Sequence, residues 1–278
     1  MEMPPDLLAI GHVAKDLTAD GHVIGGAVTY AALTAQALGL HPVVVTSCGL
    51  DVDPASAMPG VPIHIVQSAE TTTFINTYRD GLRRQVLRGV GGKIGGADIP
   101  MDWRDSPLVM LGPLAQELDE SVFQYLTGDT VAASIQGWLR KWNETGEVSP
   151  TTWDGATILP QVSVAIFSDD DSPTDQQIAE WVEHSSTLIH TRGGDGCSVY
   201  TRGAWHRVPA FQVDEVDPTG AGDVFATAFL IRFRESDDAL DAVTFASCAA
   251  SFCVEAEGVK GIPTREQIQE RLSESSQS

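Results

Sequence analysis

Val216-Asp217-Pro218-Thr219-Gly220-Ala221-Gly222-Asp223-Val224-Phe225 decides the reading of this chain. A polar turn spaced by glycines runs straight into an almost unbroken apolar stretch, Val224 to Phe233, so the unpaired N–H groups of a first helical turn stand at the mouth of a buried helix. Those groups, with roughly half a positive charge from the helix dipole, make an anion site, and Gly220 and Gly222 let the backbone come close to a bound phosphate. Asp223, in the first turn, would repel that phosphate unless it has a second task. The fitting one is to take the proton from a hydroxyl that attacks a phosphoryl group held by the turn. On the four residues G-x-G-D alone, a plainer account serves as well: a capping carboxylate and two turn-forming glycines.

Working outward, 278 residues with 42% apolar and 20% charged composition suffice for one large domain with a sizeable core. Seventeen basic against 38 acidic residues give a net charge of −21, which excludes a nucleic-acid or anionic-membrane partner as the expected role. An anionic substrate would have to be held by local backbone dipoles, a few arginines and a divalent ion. Four scattered cysteines, Cys48, Cys197, Cys248 and Cys253, read as reduced and intracellular, and seven histidines show no zinc spacing. No apolar run reaches membrane-span length and the N-terminus lacks a signal-peptide pattern, so the expected location is cytoplasmic. Only the ends, Met1 to Pro5 and Ser273 to Ser278, read as disordered.

Short apolar runs at 7–13, 42–48, 108–113, 130–135, 162–167 and 188–191 predict buried strands that alternate with helices, hence a mainly parallel, doubly wound sheet. Asp16 lies just past the first strand, where such sheets bind ligands. Gly25-Gly26 open an alanine-rich helix that ends on Gly39. Thr71 to Tyr78 and Leu82 to Arg88, about the turn Arg79-Asp80-Gly81, predict a β-hairpin outside the parallel pattern, and Gly89 to Gly96 suit a hinge. Ser121 to Leu126 are expected to be helical, Ser172-Pro173 to start a helix running through Glu183, and Thr264-Arg265-Glu266-Gln267 to form a capping box for a last helix to Leu272. The Trp-rich loop from Arg140 to Trp153 fits either packing or, through Arg140, contact with a substrate or phosphate oxygen.

Asp217-Pro218-Thr219-Gly220-Ala221-Gly222-Asp223 closely resembles the D-T-x-G-A-G-D signature of the PfkB, ribokinase-like carbohydrate kinases, and the rest of the chain follows that family's order. The resemblance implies a single ribokinase-like domain over 1–278, with lid strands at about 12–25 and 70–92 closing over the sugar. It implies ATP-dependent phosphoryl transfer to a hydroxyl of a small sugar or polyol, with Asp223 as base, the amides of Gly220, Ala221 and Gly222 stabilising the transferring group, and Mg²⁺ bridging the phosphates. Asp16, Gly25 and Gly26 fall where the family contacts sugar hydroxyls. Tyr30 stands at the place of the family's asparagine, and Arg140 matches the last position of D-x-N-x-R, with Gln136 and Trp138 at the other two. Thr191, Gly193 and Gly196 match a T-x-G-x-x-G segment lining the nucleotide, Thr219 and Asp217 support the loop, in some relatives by way of a monovalent cation, and Ser247 stands where an asparagine borders the adenine. The family's N-x-x-E is missing, which leaves Asp169, Asp170 or Asp171 as outer-sphere Mg²⁺ ligands or as solvated loop charge. A nucleoside or inositol acceptor, with Tyr30 and Trp138 against its ring, and a catalytically weak regulatory member are the alternatives; monomer and homodimer both fit.

Overall fold

The computed structural model describes residues 4–19, 21–79 and 82–275. The turn residues Asp80 and Gly81 and the outermost residues of both termini lie outside them. In chain order, β1 (Leu7–Ile10), β2 (Ala14–Thr18) and β3 (Gly21–Gly25) lead into α1 (Ala27–Ala37); β4 (Pro42–Cys48), a short α2 (Pro54–Ala57) and β5 (Ile63–Gln67) follow. The predicted hairpin is β6 (Thr73–Arg79) and β7 (Leu82–Gly89). After it come β8 (Leu108–Leu111), β9 (Thr130–Ser134), β10 (Arg140–Trp142), β11 (Val148–Pro150), β12 (Val164–Ser168) and α3 (Asp175–His184). The chain closes with β13 (Thr187–Thr191), β14 (Cys197–Thr201), β15 (Ala204–Val208), α4 (Ala221–Ser236), α5 (Ala239–Val254) and α6 (Arg265–Ser275).

The large sheet has the order β15-β14-β13-β12-β9-β8-β1-β4-β5. From β13 to β5 every pairing is parallel, and the β14–β15 hairpin finishes one edge antiparallel. Period-two alternation explains why β1 reads as a continuous apolar run: Leu7 and Ala9 enter the core under α1, α4 and α5, while Leu8 and Ile10 enter the core on the opposite face with Trp138, Leu139 and Trp181. Both faces are covered, so neither parity tolerates a polar residue. All four cysteines are buried and unpaired by disulfides. Among the described residues no helix is long and apolar enough to cross a membrane.

A second sheet, β3-β2-β6-β7, stands apart from the first. A small apolar cluster of Ala14, Ala27, Phe74, Leu87, Leu114 and Ala115 seats it on the main body. Its root is a buried polar knot that the sequence did not announce. His12 follows β1, Thr72 precedes β6 and Gly92 follows β7; the His12 Nε2–H donates to the Gly92 carbonyl (2.7 Å), and the Thr72 hydroxyl donates to His12 Nδ1 (2.6 Å). Glu117, 1% exposed, accepts the N–H groups of His12, Leu114 and Ala115 at 2.7–3.0 Å. The glycine-rich return expected to be a hinge is thus tied down at Gly91, whose N–H reaches Thr72 Oγ1 at 2.9 Å, and at Gly92, whose N–H reaches Ser47 Oγ at 3.0 Å.

Four local expectations need correction. The helix after β12 begins later than Ser172-Pro173. Thr174 is its cap and forms a box with Gln177, while Ser172 takes a left-handed conformation (φ 51°) that ends the 3₁₀ turn Asp169–Asp171. Asp171 closes that turn by accepting Ser168 N–H and Oγ–H, which leaves the earlier serine no helix to cap. The segment expected to be helical near Ser121 is a 3₁₀ turn, Glu120–Gln124. Residues Arg140 to Trp153 hold a small hairpin, β10 with β11. At the C-terminus, α6 carries on through Ser273 to Ser275, because the Ser273 and Ser275 hydroxyls bond back to Gln269 and Arg271 carbonyls. The Thr264–Gln267 capping box is present: Gln267 Oε1 accepts Thr264 N–H at 2.8 Å.

Candidate active site

The turn at Asp217–Asp223 stands at the mouth of α4, and its geometry follows from two residues. Asp217 Oδ1 accepts Thr219 N–H and its Oδ2 accepts Gly258 N–H, both at 2.9 Å, so its carboxylate pins the turn to the segment after α5. Gly220 is the N-cap with φ 81°, a left-handed conformation, and a Cβ there would fall 2.1 Å from Tyr30 Cε1. Glycine is needed at this position twice over, for its torsion and for the ring beneath it. The Ala221 N–H turns back to the Pro218 carbonyl (3.2 Å), so that amide closes the turn instead of facing outward as expected. Gly220, Gly222 and Asp223 all line the cavity that the turn opens onto.

That cavity measures about 850 Å³ and gathers the carboxyl ends of β9, β12 and β13, the start of α4, one face of α5 and the lid. Of the expected site residues, Asp16, Gly26, Tyr30, Arg140, Asp170, Thr191, Gly193, Gly196, Thr219, Ala221 and Ser247 all line it. Gly25 does not, but lies against Asp16, where a Cβ would meet Oδ2 at 3.1 Å. Asp16 sits within β2 of the second sheet, and its Oδ1 accepts Asn76 Nδ2–H at 2.8 Å. Asp169 is drawn away from the cavity: His190 Nε2–H donates to it at 2.5 Å, and Arg192 Nη2–H donates to His190 Nδ1 at 2.9 Å. Burial and the neighbouring Arg192 hold the His190 ring below its ordinary range, consistent with this neutral tautomer.

Tyr30 is almost wholly buried beneath the turn, and its phenol is pushed well above its usual range by burial first and then by the charges of Cys253, Asp223, Asp217 and Asp16. It is therefore a neutral wedge under Gly220 as well as part of the cavity wall. Trp138 does not wall off a ligand ring: it is buried, stacks on Trp153 with ring centres 5.3 Å apart, and lies outside this cavity. The open choice for the Trp-rich stretch resolves by residue: Trp153 packs against Trp138, Trp142 is exposed, and Arg140 lines the cavity. Burial pushes the Asp171 carboxyl up, against the opposing pull of Arg140.

Sequence reasoning missed Phe74, Gln85 and Gln136, which line the cavity, and Asn76, which bridges Gln85 to Asp16. A signal was available in the hairpin: Phe74 with Asn76, and Gln85 with Leu87, alternate on one face, and the apolar member of each pair marks that face as inward.

Residues 164–265 match the model of the pfkB family carbohydrate kinases. The matched stretch is somewhat over a third of the chain and takes in the Asp217–Asp223 turn. The chain is 26% identical over 265 residues to a cytidine kinase of Thermococcus kodakarensis, a match covering 82% of this chain and 88% of that one. It is 34% identical to a nucleoside kinase of Methanocaldococcus jannaschii over 98 residues, 34% of this chain and only 32% of that protein. A pyrophosphate-dependent kinase of the ribokinase family, solved with sulfate, superposes with a TM-score of 0.80 at 22% identity, covering 95% of this chain and 99% of that one. The fold is therefore ribokinase-like, a large mainly parallel sheet with flanking helices and a smaller second sheet.

Proposed function

We propose that this chain transfers the γ-phosphoryl group of ATP to a hydroxyl of a small sugar or polyol. The observation that carries the reading is the placement of the Gly220–Asp223 helix start between two unlike halves of one cavity. On one side the wall is apolar, with Ala210, Phe211, Val213, Ala250 and Val254, which suits a nucleoside moiety and favours ATP over pyrophosphate as donor. On the other side stand Asp16 and Gln85 of the second sheet, with Arg140 of β10, which suit a polar acceptor.

In this reading the amides of Gly220 and Gly222 and the positive end of α4 receive the charge of the transferring group. Asp223 accepts the proton of the attacking hydroxyl, while Asp217 holds the turn and Tyr30 supports it from below. Ser247 and the Thr191–Gly196 segment border the nucleotide. Arg140 is the one basic side chain lining the cavity among the described residues, against six carboxylates: Asp16, Asp170, Asp171, Glu215, Asp217 and Asp223. Magnesium bound with a donor carrying several negative charges would offset part of that charge. Magnesium keeps several waters and needs few protein ligands. Asp170, on the cavity wall, is the residue we assign to meet such an ion through water.

The test is a mass-shift assay of sugars, polyols, inositols and nucleosides with magnesium and either ATP or pyrophosphate, run beside Asp223→Asn. A phosphorylated sugar or polyol from wild type with ATP, lost in the variant, is expected. Equal turnover by Asp223→Asn would overturn the assignment of the base, and product from pyrophosphate alone would overturn the assignment of the donor.

A further inference from the structure

Three successive aspartates follow β12, and the structure sends each to a different place. Asp171 turns back onto Ser168, accepting its N–H at 2.8 Å and its Oγ–H at 3.0 Å. Asp170 lines the cavity. Asp169 leaves it, drawn off by a chain of hydrogen bonds that begins on β14: Arg192 donates through Nη1–H to Ser198 Oγ at 2.8 Å and through Nη2–H to His190 Nδ1 at 2.9 Å, and His190 Nε2–H donates to Asp169 Oδ1 at 2.5 Å. The direction is fixed, because a guanidinium only donates and a carboxylate only accepts. The imidazole therefore stands as a neutral link between Arg192 and Asp169, whose charged groups approach to 4.0 Å. Its ring is stacked on Phe167, with centres 4.5 Å apart and planes 22° from parallel. Phe167 and Thr191, beside the trio in sequence, line the cavity, whereas Asp169, His190 and Arg192 do not.

We propose that His190 and Arg192 are positioning residues for the phosphate donor: they hold the Asp169 carboxylate outside the cavity and offset its charge, so that a wall with six carboxylates does not gain a seventh. This rests on the kinase reading for the word donor. Arg140 is the one basic side chain on that wall among the described residues, so each further carboxylate facing the cavity weakens the hold on a polyanion. Asp169 shares a 3₁₀ turn with Asp170 and Asp171, both on the wall; its partner, not its place in the chain, keeps it apart. The same contact ties the turn after β12 to the turn after β13, where Thr191 Oγ1–H donates to the Phe167 carbonyl (3.3 Å) and Arg192 N–H to the Gly196 carbonyl (2.8 Å).

His190→Phe keeps a ring on Phe167 and releases the carboxylate, Arg192→Leu removes the offsetting charge, and Asp169→Asn keeps an oxygen for the His190 N–H while losing the charge. The three single variants, and the two doubles that add Asp169→Asn to the others, are titrated calorimetrically with the magnesium complex of a non-hydrolysable ATP analogue; kcat and KM are measured on whichever sugar or polyol is phosphorylated. Expected is about 5-fold weaker analogue binding in His190→Phe and Arg192→Leu, the size of a partly exposed charge interaction, with a matching rise in KM for ATP and unchanged kcat and acceptor KM. Asp169→Asn alone should stay within about twofold of wild type, and adding it to either variant should restore binding, because the displaced charge is then gone. Doubles as weak as the singles would overturn the proposal, since the network would then only brace the two turns. So would a fall in kcat at unchanged KM for ATP, and so would full binding by both single variants. No analogue binding by wild type would overturn the kinase reading and this inference with it. Analogue binding in the expected pattern, without transfer to any acceptor, would overturn the kinase reading and leave the inference standing.

Discussion

At the α4 end of the cavity the working groups come from seven consecutive residues, Asp217 to Asp223, and much of what they offer is backbone. At the lid end they come from three strands: Asp16 bonds to Asn76 across 60 positions of sequence, and Asn76 to Gln85 across nine. The first region can be recognised as a string because a turn-to-helix junction is a local event, governed by torsions and the missing partners of the first amides. The second exists only after β2 has paired with the β6–β7 hairpin in the second sheet. A signature of adjacent residues therefore reports the turn at the mouth of α4, while the opposite wall of the cavity is built by residues that no short pattern contains.

The largest effect should be seen where the local region does chemistry. Asp223→Asn is expected to fold as wild type and to lose roughly 10²–10⁴ in kcat, measured as phosphorylated product per enzyme with saturating ATP. Retention of most of the turnover would break the comparison at its stronger end.

The long-range side is expected to fail first in stability. Glu117→Ala removes the acceptor of three buried backbone N–H groups at the root of the lid, and should cost about 3–5 kcal/mol in urea unfolding. Glu117→Gln keeps an acceptor oxygen and should lose clearly less. A loss under about 1 kcal/mol for the alanine would show that the knot holds little.

The two regions meet where Gly220 lies on Tyr30. Gly220→Ala should cost about 3 kcal/mol, from overpacking against the ring and from the left-handed torsion, and should lower turnover as the turn shifts. Pairing it with Tyr30→Leu should recover part of the stability by relieving the clash, with the torsional cost remaining. No recovery in the double variant would place the whole penalty in the backbone.

The smallest effect separates two neighbouring local signals. Thr174→Ala should destabilise by about 1 kcal/mol as a lost helix cap, and Ser172→Ala by less than about 0.5 kcal/mol. Thermal unfolding of the two variants side by side checks this, and equal losses would contradict the corrected helix start.

The outcome for Ser172 shows what local reading cannot weigh. Ser172-Pro173 and Thr174 both carry valid start signals, but Asp171 folds back onto Ser168 and uses Ser172 to finish a different turn. The Trp-rich stretch gives the same lesson at larger scale. Nothing in the order Trp138, Trp142, Trp153 says which ring is interior; the stack of Trp138 on Trp153, with Trp181 behind it, makes those two core, while Trp142 stays exposed and Arg140 lines the cavity.

By itself the sequence determined the alternation of strands and helices, because continuous apolar runs of strand length can be buried only in a sheet covered on both faces. It also determined the glycine turn at the start of α4, because glycine spacing and helix N-terminal amides act over a few bonds. The tertiary structure decided the buried His12–Thr72–Gly92–Glu117 root of the lid, the wedge of Tyr30 under Gly220, and the Asp16–Asn76–Gln85 relay. Each brings together segments that local sequence does not pair, and the buried hydrogen bonds of the His12–Glu117 root become worth making only when packing has removed the water that would otherwise satisfy the same groups.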